Sequence, residues 1–299
     1  MRSVYYLLVC LFFLFCNKAE KENEFLPEKK EKTVSIPKHP KFNSYWNKGK
    51  AEITSYALTQ SRYGEIHQGT AVHIFVTEQF LPKKQVKADT QNKTNISILK
   101  LNSTKKFVTG IYPYSLMTST FSPIVGSQKA IKISFSSQEW CGNTFIQLNN
   151  RAQFEIDFRS YFEKNADKEL LLKKNTLENE LWNLLRINPK KLPIGNMDII
   201  PSFEFLALNH QKIKAYKAKA TLKEDGDFMM YSVDYPTLKR EVTIKATKEF
   251  PFIIESWTET TTKNGKKLTT KATRIKTILT AYWNKNGLTD TEERKSLGM

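Results

Sequence analysis

The feature that most constrains this chain is an alternation of apolar and polar residues, cut at intervals by tight-turn dipeptides. In AIKISF, Ile131, Ile133 and Phe135 alternate with Lys132 and Ser134. In TAVHIFVTEQF, Val72, Ile74 and Val76 share one face. A period of two places one face of a strand in a core and the other in water, the pattern of antiparallel sheets. AEITSYALTQSRYG and TAVHIFVTEQF read as two strands joined around Gly64 to Gly69. A polar loop, VKADTQNKTN, follows, and the β pattern then resumes with a break near Gly110 and Pro113. Asp225-Gly226 and Asn264-Gly265 are hairpin dipeptides, so the C-terminal third reads as a meander. No glycine-rich phosphate loop opens a helix and strands do not alternate with helices, which argues against a doubly wound nucleotide-binding fold.

One helix interrupts the strands. NTLENELWNLLRINP places Leu177, Leu181, Leu184 and Leu185 on one face. Asn175 is a good N-cap with Glu178 three residues later, and Asn188-Pro189 ends the run, giving a helix over about 176–187. The leucine stripe predicts packing on a sheet. The expected fold is mainly β (α+β): a strongly curved antiparallel sheet, or half-open barrel, of about ten strands with one packed helix. SYWNKGK (Ser44–Lys50) and AYWNKNG (Ala281–Gly287) nearly repeat at the two ends of the body. Either they clasp the first and last strands together or the likeness is chance.

The N-terminus carries a different signal. After Arg2, Val4 to Phe15 is apolar except for Cys10. At about a dozen residues it is shorter than the roughly 20 that a spanning helix needs, and it fits the apolar region of a signal peptide. Cys16 follows at once, where a bacterial lipoprotein signal has the residue that becomes acylated. The positions before it, Phe13 to Phe15, depart from the usual leucine and small residue of that signal. The stretch from Cys16 to about residue 43 is rich in Lys, Glu and Pro and reads as a tether. Its start, Asn17 to Glu22, resembles the lysine-plus-acidic export tag of surface lipoproteins in Bacteroidota. The expected organisation is a signal peptide at 1–15, a tether at 16–43, one β-rich domain at 44–285 and a C-terminal tail at 286–299.

Composition excludes more than it identifies. The formal net charge is +17, yet only eight of the 47 basic residues are arginine. Phosphate and base recognition leans on the arginine fork, so nucleic acid is not an expected partner. An anionic or apolar ligand remains open. With Cys16 acylated and Cys10 in the leader, Cys141 has no disulfide partner. QEWCG, with Glu139, Trp140, Cys141 and Gly142, is the sharpest local motif and reads as a binding or packing element. Cys141 is expected to be a small buried hydrophobe, Trp140 packing beside it and Gly142 a bulge or turn. Its nucleophilic alternative needs a histidine in reach, from His39, His67, His73 or His210. Glu65 and His67 are two residues apart and read as a solvated turn, and too few ligands gather anywhere for a metal site. No cofactor motif is found.

QEWCG, together with KLNSTKKFVTGIYPYSLMTSTFSP, PFIIESWTE and LTTKATRIKT, resembles an uncharacterised lipoprotein family of flavobacteria and their relatives, over about Tyr45 to Trp283. Its members are often labelled "septum formation inhibitor Maf". Genuine Maf proteins are α/β nucleotide pyrophosphatases with an early Ser-Pro-Arg-Arg phrase, which this chain lacks. The resemblance implies a cell-envelope location and no particular activity. The expected function is a membrane-anchored envelope lipoprotein, in the outer membrane and facing outward, that binds or scaffolds rather than catalyses. A cysteine hydrolase using Cys141 and a Maf-type pyrophosphatase are the alternatives.

Overall fold

The computed structural model describes residues 39–125 and 129–299. The leader, Cys16 and most of the expected tether lie outside the described residues. A short helix, α1 (Phe42–Trp46), comes first. The strands follow as β1 (Ala51–Arg62), β2 (Glu65–Leu81), β3 (Val86–Lys87), β4 (Ile96–Thr109), β5 (Tyr112–Pro123), β6 (Lys132–Glu139), β7 (Gly142–Asn150), β8 (Phe154–Ser160), β9 (Lys168–Leu172) and β10 (Thr176–Leu177). After α2 (Glu178–Ile187) come β11 (Gly195–Ile200), α3 (Phe203–Leu208), β12 (Tyr216–Asp225), β13 (Phe228–Tyr235), β14 (Arg240–Thr247), β15 (Ile254–Lys263), β16 (Lys266–Thr280) and α4 (Thr291–Ser296).

All sixteen strands belong to one sheet, antiparallel except where β10 pairs with β11. Its order runs β10 to β16, then β1, β2 and β4 to β9, with β3 beside β2. The fold is therefore the expected curved, unclosed antiparallel sheet, with more strands than the ten expected. Two-residue strands such as β3 and β10 are too short to show alternation. The first long strand sits mid-sheet, paired with the last (Ala51↔Thr280).

Two facts measure the curvature. The sheet edges, β9 and β10, are joined by only Lys173 to Asn175, so they lie within about 15 Å of each other. Lys105 on β4 reaches Glu259 on β15 at 2.8 Å, although four strand steps separate them, about 19 Å in a flat sheet.

The concavity holds α2, which is buried almost all round rather than on its leucine face alone. Each polar residue of the helix has a fixed partner. Glu178 receives both guanidinium nitrogens of Arg240 (2.6 and 2.8 Å) and the hydroxyl of Tyr235 (2.8 Å). Arg186 donates two bonds of 2.6 Å to Glu52. Asn183 donates to the carbonyls of Leu99 and Thr120, on β4 and β5. The helix begins at Glu178, two residues later than expected, because β10 holds Thr176 and Leu177 extended against β11. Asn175 does not cap it. Instead Glu180 reaches back and accepts the Leu177 N–H at 3.1 Å.

Other expectations change in detail. Both faces of β2 carry apolar residues, so alternation alone could not choose between them. Ala71, His73 and Phe75 form its buried row, while of the expected face Val72 and Ile74 are half-buried and Val76 is buried. Gly69 lies inside β2, not in the turn. A Cβ there would come within 2.3 Å of the Lys106 carbonyl, so the approach of β2 to β4 needs glycine. Glu65 and His67 are strand residues too. The body starts before residue 44, since Phe42 is buried. The expected tail is docked as well: Leu297 is buried and its carbonyl accepts from Ser55. The TEERKS sequence of α4 has no apolar stripe to announce this. The two Tyr-Trp phrases do not form matching anchors. Trp46 is buried, whereas Trp283 is half-exposed.

The buried pairs give a stability test. Arg240→Met strands Glu178 and should cost about 3–5 kcal/mol in urea unfolding. Adding Glu178→Met should recover a large part of that loss. A cost below about 1 kcal/mol for the single variant would mean that the pair does not hold α2 in the sheet.

Candidate functional site

Two regions gather chemistry: the interior beside α2, and the end of the sheet that carries QEWCG. Inside, Lys105 donates to Glu204 (2.7 Å) and Glu259 (2.8 Å), and Arg240 bridges Glu259 (3.1 Å) and Glu178. Burial works to raise the Glu259 carboxyl, but Lys105 and Arg240 outweigh it and hold the group at about 2. Burial raises Glu204. Beside this network His73 stacks on Trp257 at 4.7 Å and meets Trp182 edge-on at 5.3 Å. Burial, then the charges of Lys105 and Arg186, push the His73 imidazole down to about 3. The ring is thus neutral, and its Nδ1 has no hydrogen-bond partner among the described residues.

The cavity left between these groups measures about 40 Å³. That is room for a water or two, far below the 300 Å³ or more of a typical ligand pocket. A half-open barrel could have carried an apolar ligand, but here helices and ion pairs fill the concavity.

The other region is built by hairpins. β1–β2, β4–β5 and β6–β7 each turn through two residues, Tyr63-Gly64, Gly110-Ile111 and Trp140-Cys141. These turns lie at the same end of the sheet. Two-residue turns favour Asn, Asp and Gly, as at Asn264-Gly265. Here the tips carry Ile111 (83% exposed), Trp140 (68%) and Tyr63 (60%), and Tyr161 (77%) follows β8. Tyr63 adopts φ +54°, a left-handed conformation that is uncommon for a bulky side chain. The side chains form a connected rim. The Tyr112 hydroxyl donates to Tyr63 at 3.3 Å, the Tyr63 and Tyr114 hydroxyls share a 2.6 Å bond, and Trp140 stacks on Tyr112 at 6.2 Å. Arg62 ties the rim to α3, donating to the Leu208 carbonyl at 2.6 Å.

The QEWCG residues therefore divide. Cys141 is exposed, not buried, because it occupies a two-residue loop tip. Glu139 accepts the Cys141 N–H at 2.8 Å. Trp140 is a rim residue. Gly142 opens β7 with the Tyr161 ring against it, 2.8 Å from where a Cβ would stand. A cavity of about 120 Å³ beneath the rim is lined by Cys141, Glu139, Arg62, Tyr63, Tyr114 and His210, among others. His210 is the one histidine brought to the same cavity as the sulfur, and its Nδ1 is engaged with Asn165 at 3.0 Å. The thiol itself is held protonated: the hydrogen bond to Glu139, then slight desolvation and that carboxylate's charge, raise Cys141 above its usual value. A cysteine nucleophile needs the opposite shift. Among the described residues no group of three or more His, Cys, Asp or Glu side chains is placed to hold a metal ion. Sequence reading missed the rim because each apolar tip residue stands alone in its own turn, and only the sheet order makes them neighbours.

No family model matches the chain, and no curated protein matches it. A solved β-barrel-like protein of a domain of unknown function, DUF1849, from Brucella abortus is similar over 77% of this chain and 98% of its own, at 9% identity and a TM-score of 0.45.

Two measurements probe these regions. An unfolded histidine takes up its proton near 6.5, but folded His73 does so only near 3. Its contribution to stability is complete above the first value and is lost as pH falls toward the second, about 2 kcal/mol between pH 7 and 5. Glu204 works in the opposite sense, so the wild type should be compared with His73→Phe. The gap between their unfolding free energies should narrow by that amount on acidification, and a constant gap would show that His73 titrates normally. At the rim, Cys141 should alkylate slowly with iodoacetamide at pH 7, and Glu139→Gln should speed it several-fold by freeing the thiolate. No acceleration would mean that Glu139 does not control the sulfur.

Proposed function

We propose that this chain is a bacterial cell-envelope lipoprotein, held to the membrane through an acylated Cys16, and that it serves as a binding or scaffolding module rather than an enzyme. The observation that carries the binding role is the rim: three neighbouring hairpin tips present Tyr63, Ile111 and Trp140 to solvent around the QEWCG turn. Such a contiguous apolar surface marks an interaction site, whereas scattered apolar residues do not. The filled interior supports the same reading, since it leaves a lipid-sized ligand no space. The raised Cys141 thiol weighs against the hydrolase alternative, and a single antiparallel sheet weighs against a Maf-type pyrophosphatase. Placement in the outer membrane, facing outward, rests on the resemblance of Asn17 to Glu22 to a surface-export tag.

The anchor is tested by growing cells with a clickable palmitate analogue and adding protease from outside. The wild type should be labelled and cut, and Cys16→Ser should lose the label. Absence of label in both would overturn the lipoprotein reading, and labelled protein resistant to protease would overturn surface exposure.

A further inference from the structure

The rim has a second property besides its aromatic tips. Exposed lysines surround it at the same end of the sheet: Lys106 on β4, Lys164 after β8, Lys239 before β14, and Lys263, Lys266 and Lys267 about the β15–β16 turn. The acids there, Glu65, Glu139, Glu163, Asp167, Asp234 and Glu241, are outnumbered once the exposed Lys212, Lys214 and Lys219 at and before β12 are added. Tyrosine and tryptophan suit the boundary between lipid headgroups and hydrocarbon, because one part of each ring is apolar and the other polar. Lysines around them attract anionic headgroups. The opposite end also has exposed lysines and apolar residues, Trp283 and Leu288 among them, but among the described residues it does not set aromatic residues on neighbouring hairpin tips. Its two-residue turn between β12 and β13 is Gly226-Asp227, and its β7–β8 turn is Arg151-Ala152-Gln153, polar at both ends.

From these observations we infer that the rim docks on an anionic lipid surface, with Ile111 and Trp140 entering the headgroup layer and the lysines facing phosphate. This rests on the rim being the binding face, but not on acylation of Cys16. His39, where the described chain begins, stacks on Phe250 in the segment after β14, at the end away from the rim.

The experiment uses the unacylated chain from Asn17 to Met299, which keeps every described residue. Vesicles of phosphatidylcholine with about one-third phosphatidylglycerol are added, and binding is followed by flotation. A Trp283→Phe background leaves Trp140 as the most exposed tryptophan, so its emission reports the rim. Binding to the anionic vesicles, a blue shift on binding, and a roughly tenfold weakening in Ile111→Ser/Trp140→Ser are expected, with loss in high salt. Thermal melts of the variant should match the parent, since both side chains are solvent-exposed. No binding to anionic vesicles would overturn the inference and point the rim to a protein partner. Equal binding by parent and double variant would overturn it too, as adsorption through lysines elsewhere. Either failure leaves the palmitate label on Cys16 untouched, so the two readings fail separately.

Discussion

The structure depends on the pairing of charges carried by α2 with charges carried by the sheet. Glu178 meets Arg240, and Arg186 meets Glu52, both with two-point geometry in the interior. Taking such groups out of water is costly, and their attraction compensates only when the geometry is good. Their role is therefore to specify position. A helix displaced by one turn would leave an unpaired carboxylate and an unpaired guanidinium in the core at once. The sheet can curl to its observed extent because something of fixed shape and charge lies inside it, and Lys105 reaches across that interior to Glu204 and Glu259 to tie β4 to α3 and β15.

This interior also leaves no room for a ligand of ordinary size. A curved sheet suggests a container, but the space is occupied by α2, α3 and a polar network with room for little more than water. What the fold offers outward is a set of turns at one end, on rigid strands. Arg62 connects that end to α3, so the rim rests on the same packed centre that fills the concavity. Rigid tips lose little conformational freedom on docking, which favours their use as a contact surface.

Much of the architecture was legible in the sequence. The alternation in β6 gave its buried face, the Asn264-Gly265 turn fell where expected, and all four leucines of the expected stripe are buried, three on α2 and Leu177 on β10. The opposite half of the helix was not legible. Glu178, Glu180 and Asn183 look like a wet face, because periodicity reports only which residues are apolar. One signal did exist. In a lysine-rich chain, arginine is rare, and among the described residues Arg186 and Arg240 are the two that sit fully inside. The helix itself contains no lysine. Where lysine serves for solubility, arginine and asparagine mark positions that need directed hydrogen bonds. For the rim no local signal sufficed: Tyr63, Ile111 and Trp140 are far apart in sequence, and Cys141 looked like a core residue until the turn placed it outside.

The pairing of β1 with β16 has a consequence in time. The strand made first waits for the strand made last, and until it arrives β1 has only one neighbour. Contacts this distant in sequence form slowly, because a long loop must close before it is rewarded. A nascent chain cannot complete its sheet until β16 has been made. The same seam makes the C-terminus indispensable: a chain ending short of β16 would lose a central plank and open two raw edges in the middle of the wall, rather than fray at one side.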